Sequence, residues 1–221
     1  MAPTPNPRVK ICCISSLAEA QLAVRYGAAA LGLVSAMPSG PGVISEEQIA
    51  AIAGRTPPGV ATFLLTSKQE AAAVIAQHRR CGTNTIQLVD ALQAGTYADL
   101  RQALPGIKLV QVIHVTGEEA VAEAQQVAPL VDAILLDSGN PHLAVKELGG
   151  TGRTHNWRIS RMIRAMIDVP LYLAGGLHAD NVQQAIAEVG PFGLDLCSGV
   201  RTNGTLDERK LERFFERVQT S

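Results

Sequence analysis

The feature that most constrains the fold of this chain is an alternation of strand-like and helix-like segments that repeats eight times. It begins with the β-branched run Val9–Ile14 and the helix-spaced run Leu17–Tyr26, and it ends with the strand-like run Leu194–Cys197 and the charged amphipathic segment Asp207–Val218. Eight such βα units predict a closed (β/α)₈ TIM barrel of the α/β class. An open doubly wound sheet is the alternative, and it more usually has fewer strands.

Length and composition favour one domain. The chain has 221 residues, of which 47% are hydrophobic, which is enough to bury one large core, and no segment resembles a linker. We expect residues 1–7, in which every second residue from Pro3 onward is a proline, to form a flexible tail. We expect residues 8–221 to form the barrel. The tail has no apolar region typical of a signal peptide, so we expect a cytoplasmic protein.

Charge and cysteine usage narrow the classes of function. The formal net charge of -1 provides no field that would attract nucleic acid or an anionic membrane, and no apolar run approaches the ~20 residues needed to cross a bilayer. The four cysteines match neither a disulfide framework nor a zinc clamp, so we expect reduced thiols and no metal. Small-molecule chemistry is the class that remains.

An acid stands at the end of the sixth predicted strand. Ala133–Leu136 is apolar without alternation, as in a strand buried on both faces, and Asp137 follows it. Because the C-terminal ends of barrel strands hold the chemistry, Asp137 is a candidate catalytic residue, although an acid there often only caps a turn. The run Gly149–Gly152 comes after it and offers backbone N–H groups to a phosphate, unless it is simply a turn.

Two further glycine turns follow the seventh and eighth strands. They are Gly175-Gly176 and Ser198-Gly199, and each leads towards a helix. Turns in these positions commonly bind phosphate through backbone amides. Two together favour a phosphorylated substrate.

A pair of thiols stands near the end of the first strand. Cys12 and Cys13 are adjacent, and the two-residue period of a strand predicts that only one of them faces the barrel mouth. A thiol can act as a general base when nearby dipoles or cations favour its thiolate. A free cysteine is also often a small buried hydrophobe.

Taken together, these motifs resemble the phosphoribosylanthranilate isomerase family of tryptophan biosynthesis. The matching segments occur in the family's order and at about its spacing, and they extend over nearly the whole chain. They are KIC at 10–12, LLDS at 135–138, GGTG at 149–152, Trp157, LAGGL at 173–177 followed by Asn181, and SGV at 198–200.

The resemblance implies an Amadori rearrangement of an aminoaldose phosphate to an aminoketose phosphate, without a metal or organic cofactor. Asp137 matches the general acid that protonates the ribose ring oxygen, and Cys12 matches the general base that takes the proton from C2′. The implied ligand is a small-molecule phosphosugar, and the implied assembly is a monomer or homodimer. The implied phosphate cradle consists of Gly150, Gly152, Gly175, Gly176, Ser198 and Gly199.

Departures from the family pattern cluster where that family binds anthranilate. After the second strand, Ser39–Val43 lacks the arginine that in the family pairs with the anthranilate carboxylate. The family's Gln-Leu-His-Gly is Gln87–Asp90 here, its glutamate after SGV is Arg201, and its glycine after the catalytic cysteine is Cys13. Asp90 and Arg201 are candidates for contacting the aglycone. Arg201 either replaces the lost cation or is a solvated surface charge.

Other functions remain open. A paralogue that acts on a different phosphosugar and a non-catalytic phosphate-ligand binding protein both fit the motifs. An aldolase or epimerase is less favoured because no lysine suited to forming a Schiff base stands at a strand end. His114, on the fifth strand, fits a core histidine better than one that faces the mouth.

Overall fold

The computed structural model describes residues 6–140, 143, 145–150 and 152–220. Eight parallel strands close into a barrel in chain order, with β8 hydrogen-bonded to β1. The strands are β1 Arg8–Ile11, β2 Ala30–Val34, β3 Ala61–Thr66, β4 Thr85–Leu88, β5 Lys108–His114, β6 Ala133–Asp137, β7 Leu171–Leu173 and β8 Gly193–Leu196. The intervening helices are α1 Leu17–Arg25, α2 Glu46–Ala53, α3 Ala71–Cys81, α4 Tyr97–Ala103, α5 Glu119–Val127, α6 Trp157–Met166 and α7 Val182–Val189.

A short hairpin precedes the last helix. Strands β9 Arg201–Thr202 and β10 Thr205–Leu206 pair antiparallel and lead into α8 Glu208–Gln219. The predicted (β/α)₈ barrel, a single α/β domain, is confirmed. No helix in the described part of the chain is both long and apolar enough to span a membrane. Residues 1–5 of the expected tail lie outside the described residues, so the tail stays a prediction.

The helices begin at the polar residues that the sequence places before them. The Ser45 side chain accepts a hydrogen bond from the N–H of Gln48, so α2 begins where Glu46 and Glu47 suit a helix N-terminus. In α8, Leu211, Phe214, Phe215 and Val218 are buried at helical spacing, which fixes the face that packs on the barrel.

Local turns fix the ends of two elements near the cavity. Strand β1 ends at Ile11 rather than Ile14, because Cys13 has a φ of 61° and leaves the extended conformation. Helix α7 begins at Val182, because Asn181 first closes a turn. Its side chain accepts the His178 N–H at 2.9 Å and donates to the Gly176 carbonyl at 2.9 Å.

The core has two layers. One lies between the strands and the helices, and the other fills the inside of the barrel with side chains such as Phe63, Val112 and Leu135. The inner layer includes Cys12 and Cys13, which follow β1. The inside of the barrel is therefore filled with side chains rather than open, and the candidate site lies on top of this packed layer.

Candidate active site

A cavity opens at the C-terminal end of the barrel. The loops after β1, β2, β6, β7 and β8 surround it, and Asp137, Asp195 and the thiols of Cys12 and Cys13 face it from the barrel end. The structure therefore brings together groups that are more than a hundred residues apart in the sequence. A barrel does this because all of its strands run in one direction.

Asp137 is the last residue of β6 and is 9% exposed. Burial raises the pKa of its carboxyl, while the Ser138 N–H, which donates to Oδ1 at 2.7 Å, and the nearby His114 act in the opposite direction. Gly149, with a φ of +126°, packs against this carboxyl, since a Cβ there would lie 2.6 Å from Oδ2. The site thus holds a desolvated carboxyl whose protonated form is favoured.

Cys12 and Cys13 both line the cavity, so the prediction that only one thiol faces the mouth is wrong. Strand geometry ends at Ile11, and the left-handed backbone of Cys13 turns its side chain to the same side as that of Cys12. The neighbouring thiols of Cys12 and Cys197, together with burial, raise the pKa of the Cys13 thiol. Cys13 is therefore held as a neutral thiol, and Cys12 stays the candidate base.

Glycines with left-handed backbones form the side of the cavity opposite β2 and β3. Gly150, Gly152, Gly175 and Gly176 have φ values of 68°, 69°, 86° and 61°, and all four line the cavity. Ser198 joins them, because a Cβ on Gly152 would lie 3.5 Å from its Oγ. Thr151 lies outside the described residues.

Gly199 lies behind this surface rather than on it. It does not line the cavity, and a Cβ at this position would overlap the Leu177 carbonyl oxygen. Its role is close packing between the turns that follow β7 and β8. Five of the six predicted cradle residues therefore face the cavity, and the sixth supports the turn that carries Ser198.

Sequence reasoning missed a buried ion pair beneath the thiols. Lys10 Nζ lies 2.8 Å from Asp195 Oδ1 across the β1–β8 pairing, and Lys10 is fully buried. Burial alone would lower the pKa of Lys10, but the attraction of Asp195 outweighs it and raises that pKa. An acid between two leucines in Leu194-Asp195-Leu196 was the available signal.

The Lys10 ammonium also lies close to the Cys12 sulfur. A Cβ on Gly32 of β2 would lie 3.0 Å from Lys10 Nζ and 2.8 Å from Cys12 Sγ, so both groups occupy the space that this glycine leaves. The ion pair therefore places a positive charge behind the candidate base.

Gln87 is a second residue that sequence reasoning did not select. It is 3% exposed and lines the cavity from β4, and its Oε1 has no hydrogen-bond partner among the described residues. Around it the cavity wall is apolar and consists of Val34, Met37, Leu65 and Leu148. A buried polar atom without a partner in a ligand-sized cavity is a candidate ligand contact.

The loop Ser35–Ile44 lies over the cavity. The Cys13 thiol is 3.6 Å from the Pro41 carbonyl, and the Ser39 hydroxyl donates to the Lys146 carbonyl in the loop after β6. Gly150 packs against the Pro41 ring. The loops after β2 and β6 therefore meet above the barrel and cover one side of the cavity.

Sequence comparison identifies the family. The model for N-(5′-phosphoribosyl)anthranilate (PRA) isomerase matches residues 9–217. This chain belongs to the PRA isomerase family. An N-(5′-phosphoribosyl)anthranilate isomerase of Nostoc punctiforme is 34% identical, with 96% of this chain and 98% of that protein covered. A second one, from Methanosarcina mazei, is 32% identical over 96% of this chain and 94% of that protein.

Solved PRA isomerase structures share the fold. The enzyme of Thermotoga maritima is 28% identical and superposes with a TM-score of 0.80, covering 97% of this chain and 100% of that chain. A PRA isomerase in complex with reduced 1-(o-carboxyphenylamino)-1-deoxyribulose 5-phosphate is 26% identical with a TM-score of 0.78, over 97% and 100% of the two chains.

The two candidates for contacting the aglycone do not line the cavity of this PRA isomerase family member. Asp90 forms an ion pair with Lys146 and thereby joins the loop after β4 to the loop after β6. Arg201 is 9% exposed, so its interpretation as a solvated surface charge is wrong. Its guanidinium donates to Glu19 at 2.8 and 3.0 Å and to the Cys13 carbonyl at 2.6 Å.

Arg201 instead connects the loops after β1 and β8. It supports the backbone of Cys13 from one side while Glu19, at the start of α1, holds its guanidinium. The sequence offered no signal for this pair because Glu19 has the appearance of an ordinary first-turn acid. His114 is buried, with Nε2 2.9 Å from the Val89 carbonyl, as expected of a core histidine.

Because of the Glu19–Arg201 pair, we expect part of the free energy of unfolding to be lost at acid pH. Burial alone would raise the pKa of Glu19, but hydrogen bonds from Arg201, Leu206 and Ser15 outweigh it and lower the pKa from 4.5 to about 2. An acid with a depressed folded-state pKa stabilises the fold above its unfolded pKa, and this contribution is lost as pH falls through the folded value.

We therefore expect the stability difference between the wild type and Glu19→Gln to shrink as the pH falls from about 4.5 to about 2. Urea unfolding at several pH values measures it. A difference that stays constant across this range would contradict the assignment of the pair.

Proposed function

We propose that this chain catalyses the Amadori rearrangement of N-(5′-phosphoribosyl)anthranilate to the corresponding aminoketose phosphate. The observation that carries the proposal is that a buried acid and a thiol, on β6 and after β1, open onto one cavity beside three glycine turns. The relatives from Methanosarcina mazei and Nostoc punctiforme are N-(5′-phosphoribosyl)anthranilate isomerases.

Asp137 is the proposed general acid. Opening of the ribose ring requires a proton on the ring oxygen as the C1′–O bond breaks and the Schiff base forms. Burial raises the pKa of Asp137, which favours the protonated form that the step needs. The Ser138 N–H fixes Oδ1, which orients the carboxyl.

Cys12 is the proposed general base. Once the Schiff base exists, removal of the C2′ proton gives an enol-amine, which becomes the ketone when C1′ is protonated. The Lys10 ammonium behind the sulfur stabilises negative charge on that side of the cavity. Placing the acid and the base on different strands allows them to approach the sugar from different sides.

The glycine turns are the proposed phosphate site. Left-handed glycines expose backbone N–H groups without a Cβ in the way, and the Ser198 hydroxyl is a further donor. The apolar wall around Gln87 suits an aromatic ring. Because the described residues that line the cavity include no lysine or arginine, we assign contact with the anthranilate carboxylate to neutral N–H donors. The unpartnered Oε1 of Gln87 is an acceptor, so it suits an N–H or O–H group of the ligand.

The phosphate assignment predicts the effect of Gly176→Ala. The φ of Gly176 is +61°, and a Cβ would lie 2.7 Å from the Arg153 carbonyl carbon, so the turn must shift. We expect KM for the phosphosugar to rise about tenfold or more, equivalent to about 1.4 kcal/mol of lost binding. Steady-state kinetics measures it.

Gly82→Ala is the matched control. Gly82 has nearly the same φ, +65°, but it lies at the end of α3 with nothing within 4 Å of the added Cβ. The Gly82→Ala variant should lose a similar free energy of unfolding from backbone strain at positive φ, while its KM stays near the wild-type value. An equal KM for Gly176→Ala and Gly82→Ala would rule out the phosphate site.

The test of the function is turnover of freshly generated N-(5′-phosphoribosyl)anthranilate, which is monitored by the loss of anthranilate fluorescence. We expect the wild type and Cys81→Ser to turn over, since Cys81 is buried in α3, and Cys12→Ser to lose about 10²-fold or more. No wild-type turnover, with binding of a phosphosugar analogue retained, would instead support the binding-protein alternative.

A further inference from the structure

Three of the four cysteines line the cavity from two neighbouring strand ends. Cys12 and Cys13 follow Ile11, Cys197 follows Leu196, and Ile11 and Leu196 are paired across β1 and β8. Cys197 is the residue between β8 and the turn that begins at Ser198, and it is the most exposed of the three. The proposed mechanism uses only Cys12.

The surroundings of Cys197 favour its thiolate. The neighbouring Cys13 thiol and the charge of Arg201 lower the pKa of Cys197 against the effect of burial. The Cys13 thiol lines the same cavity, and its hydrogen-bond acceptor is the Pro41 carbonyl at 3.6 Å. A partly exposed thiolate beside a second thiol is the arrangement of cysteines that react with peroxides.

We propose that Cys197 and Cys13 form a peroxide-reactive thiol site that closes to a Cys13–Cys197 disulfide. The oxidant is a hydroperoxide, with hydrogen peroxide as the simplest member of its class. Cys197 is the attacking thiol and Cys13 is the resolving thiol.

The reaction balances in two steps. The Cys197 thiolate attacks the peroxide, so that an S–O bond forms, the O–O bond breaks, and an alcohol or water leaves with one proton; the sulfur becomes a sulfenic acid. Cys13 then attacks that sulfur, the S–S bond forms, the S–O bond breaks and water leaves with the Cys13 proton. Two thiols are oxidised and one peroxide is reduced.

The disulfide would change the proposed active site. It would join the residue next to Cys12 to the residue before Ser198, and it would break the contact of the Cys13 thiol with the Pro41 carbonyl in the loop over the cavity. We expect loss of isomerase activity that dithiothreitol reverses. This consequence rests on the proposed function, whereas the disulfide itself does not.

The test is a mass-spectrometric map of the protein after treatment with hydrogen peroxide. The reduced protein is oxidised in its folded state, the remaining thiols are alkylated with iodoacetamide after unfolding in urea, and peptides are analysed without reduction. We expect a linked pair of peptides containing Cys13 and Cys197, with Cys81 alkylated, because Cys81 is fully buried and burial raises its pKa to about 11. Activity is measured in parallel on the same samples.

Three variants locate the reaction. The linkage should persist in Cys12→Ser and be absent from Cys13→Gly, in which glycine suits the backbone φ of 61°. In Cys197→Ser, the rate of thiol loss should fall about tenfold or more, because the attacking thiolate is gone.

A linkage that is absent from the wild type, or that disappears in Cys12→Ser, would overturn the proposal. Oxidation of Cys81 at the same rate as Cys197 would also overturn it. These outcomes do not depend on a substrate, so they are distinguishable from a failure of the isomerase assignment.

Discussion

Asp137→Asn is expected to lower kcat by about 10²- to 10⁴-fold, the usual contribution of a positioned general acid. Asparagine keeps the shape of the side chain and can still accept the Ser138 N–H, but it carries no acidic proton for the ring oxygen. The fold should be retained, because the substitution removes the buried carboxyl without creating a cavity. Steady-state turnover and thermal unfolding of the same preparation measure the two effects.

Asp132→Asn is the control for this experiment. Asp132 immediately precedes β6 and pairs with Arg101 and Lys108, at the end of the barrel opposite the cavity. We expect its turnover to stay within about twofold of the wild type, since surface pairs contribute little. Equal losses of turnover in the two variants would mean that both substitutions act through the fold rather than through the chemistry of Asp137.

The pH dependence of the wild type provides a second check on Asp137. Burial holds its pKa above the ordinary value, and the reaction uses the protonated form. Activity, measured as kcat/KM, should therefore fall as the pH rises through that pKa, while Asp137→Asn lacks this limb because its side chain does not titrate. If kcat/KM of Asp137→Asn still falls as the pH rises through this range, a group other than Asp137 causes the fall.

Lys10→Met is expected to destabilise the protein by about 3–5 kcal/mol, because it leaves the Asp195 carboxylate buried without its cation. Asp195 is 6% exposed, and Lys10 Nζ is its ion-pair partner at 2.8 Å. The Lys10 ammonium also lies 5.2 Å from the centre of the Phe63 ring, so part of the loss comes from that contact. Urea unfolding at neutral pH measures the change.

The double variant Lys10→Met/Asp195→Leu separates charge from packing. It should recover most of the stability lost in Lys10→Met, since no buried charge remains. Lys108→Met is the surface control; the Lys108 side chain is 65% exposed in its pair with Asp132, and its loss should cost less than about 1 kcal/mol. If Lys10→Met lowers the free energy of unfolding as little as Lys108→Met does, the Lys10–Asp195 pair does not stabilise the fold in the way described.

The barrel was predictable because its evidence is local. Runs such as Ala30–Val34, apolar on both faces, and polar residues such as Ser45 before helical spacing mark strands and helices without any long-range information. The end of β1 was not predictable, because a turn at Cys13 replaces regular structure and the residue type does not reveal the turn.

The site was predictable only where motifs identify it. Asp137 and the glycine turns stand at strand ends, where a barrel concentrates its loops, and the structure brings them to one cavity. Lys10 with Asp195, and Glu19 with Arg201, are pairs between the two ends of the chain, so only the closure of β8 onto β1 reveals them. Arg201 was therefore misinterpreted, because a charge after a strand has the same appearance whether it is buried or exposed.

A crystal structure of this protein with reduced 1-(o-carboxyphenylamino)-1-deoxyribulose 5-phosphate tests the account most directly. We expect the phosphate against Gly152, Gly176 and Ser198, with the Cys12 sulfur and the Asp137 carboxyl on opposite sides of the sugar chain. A phosphate bound elsewhere, or Cys13 rather than Cys12 facing C2′, would contradict the proposed assignment of acid, base and cradle.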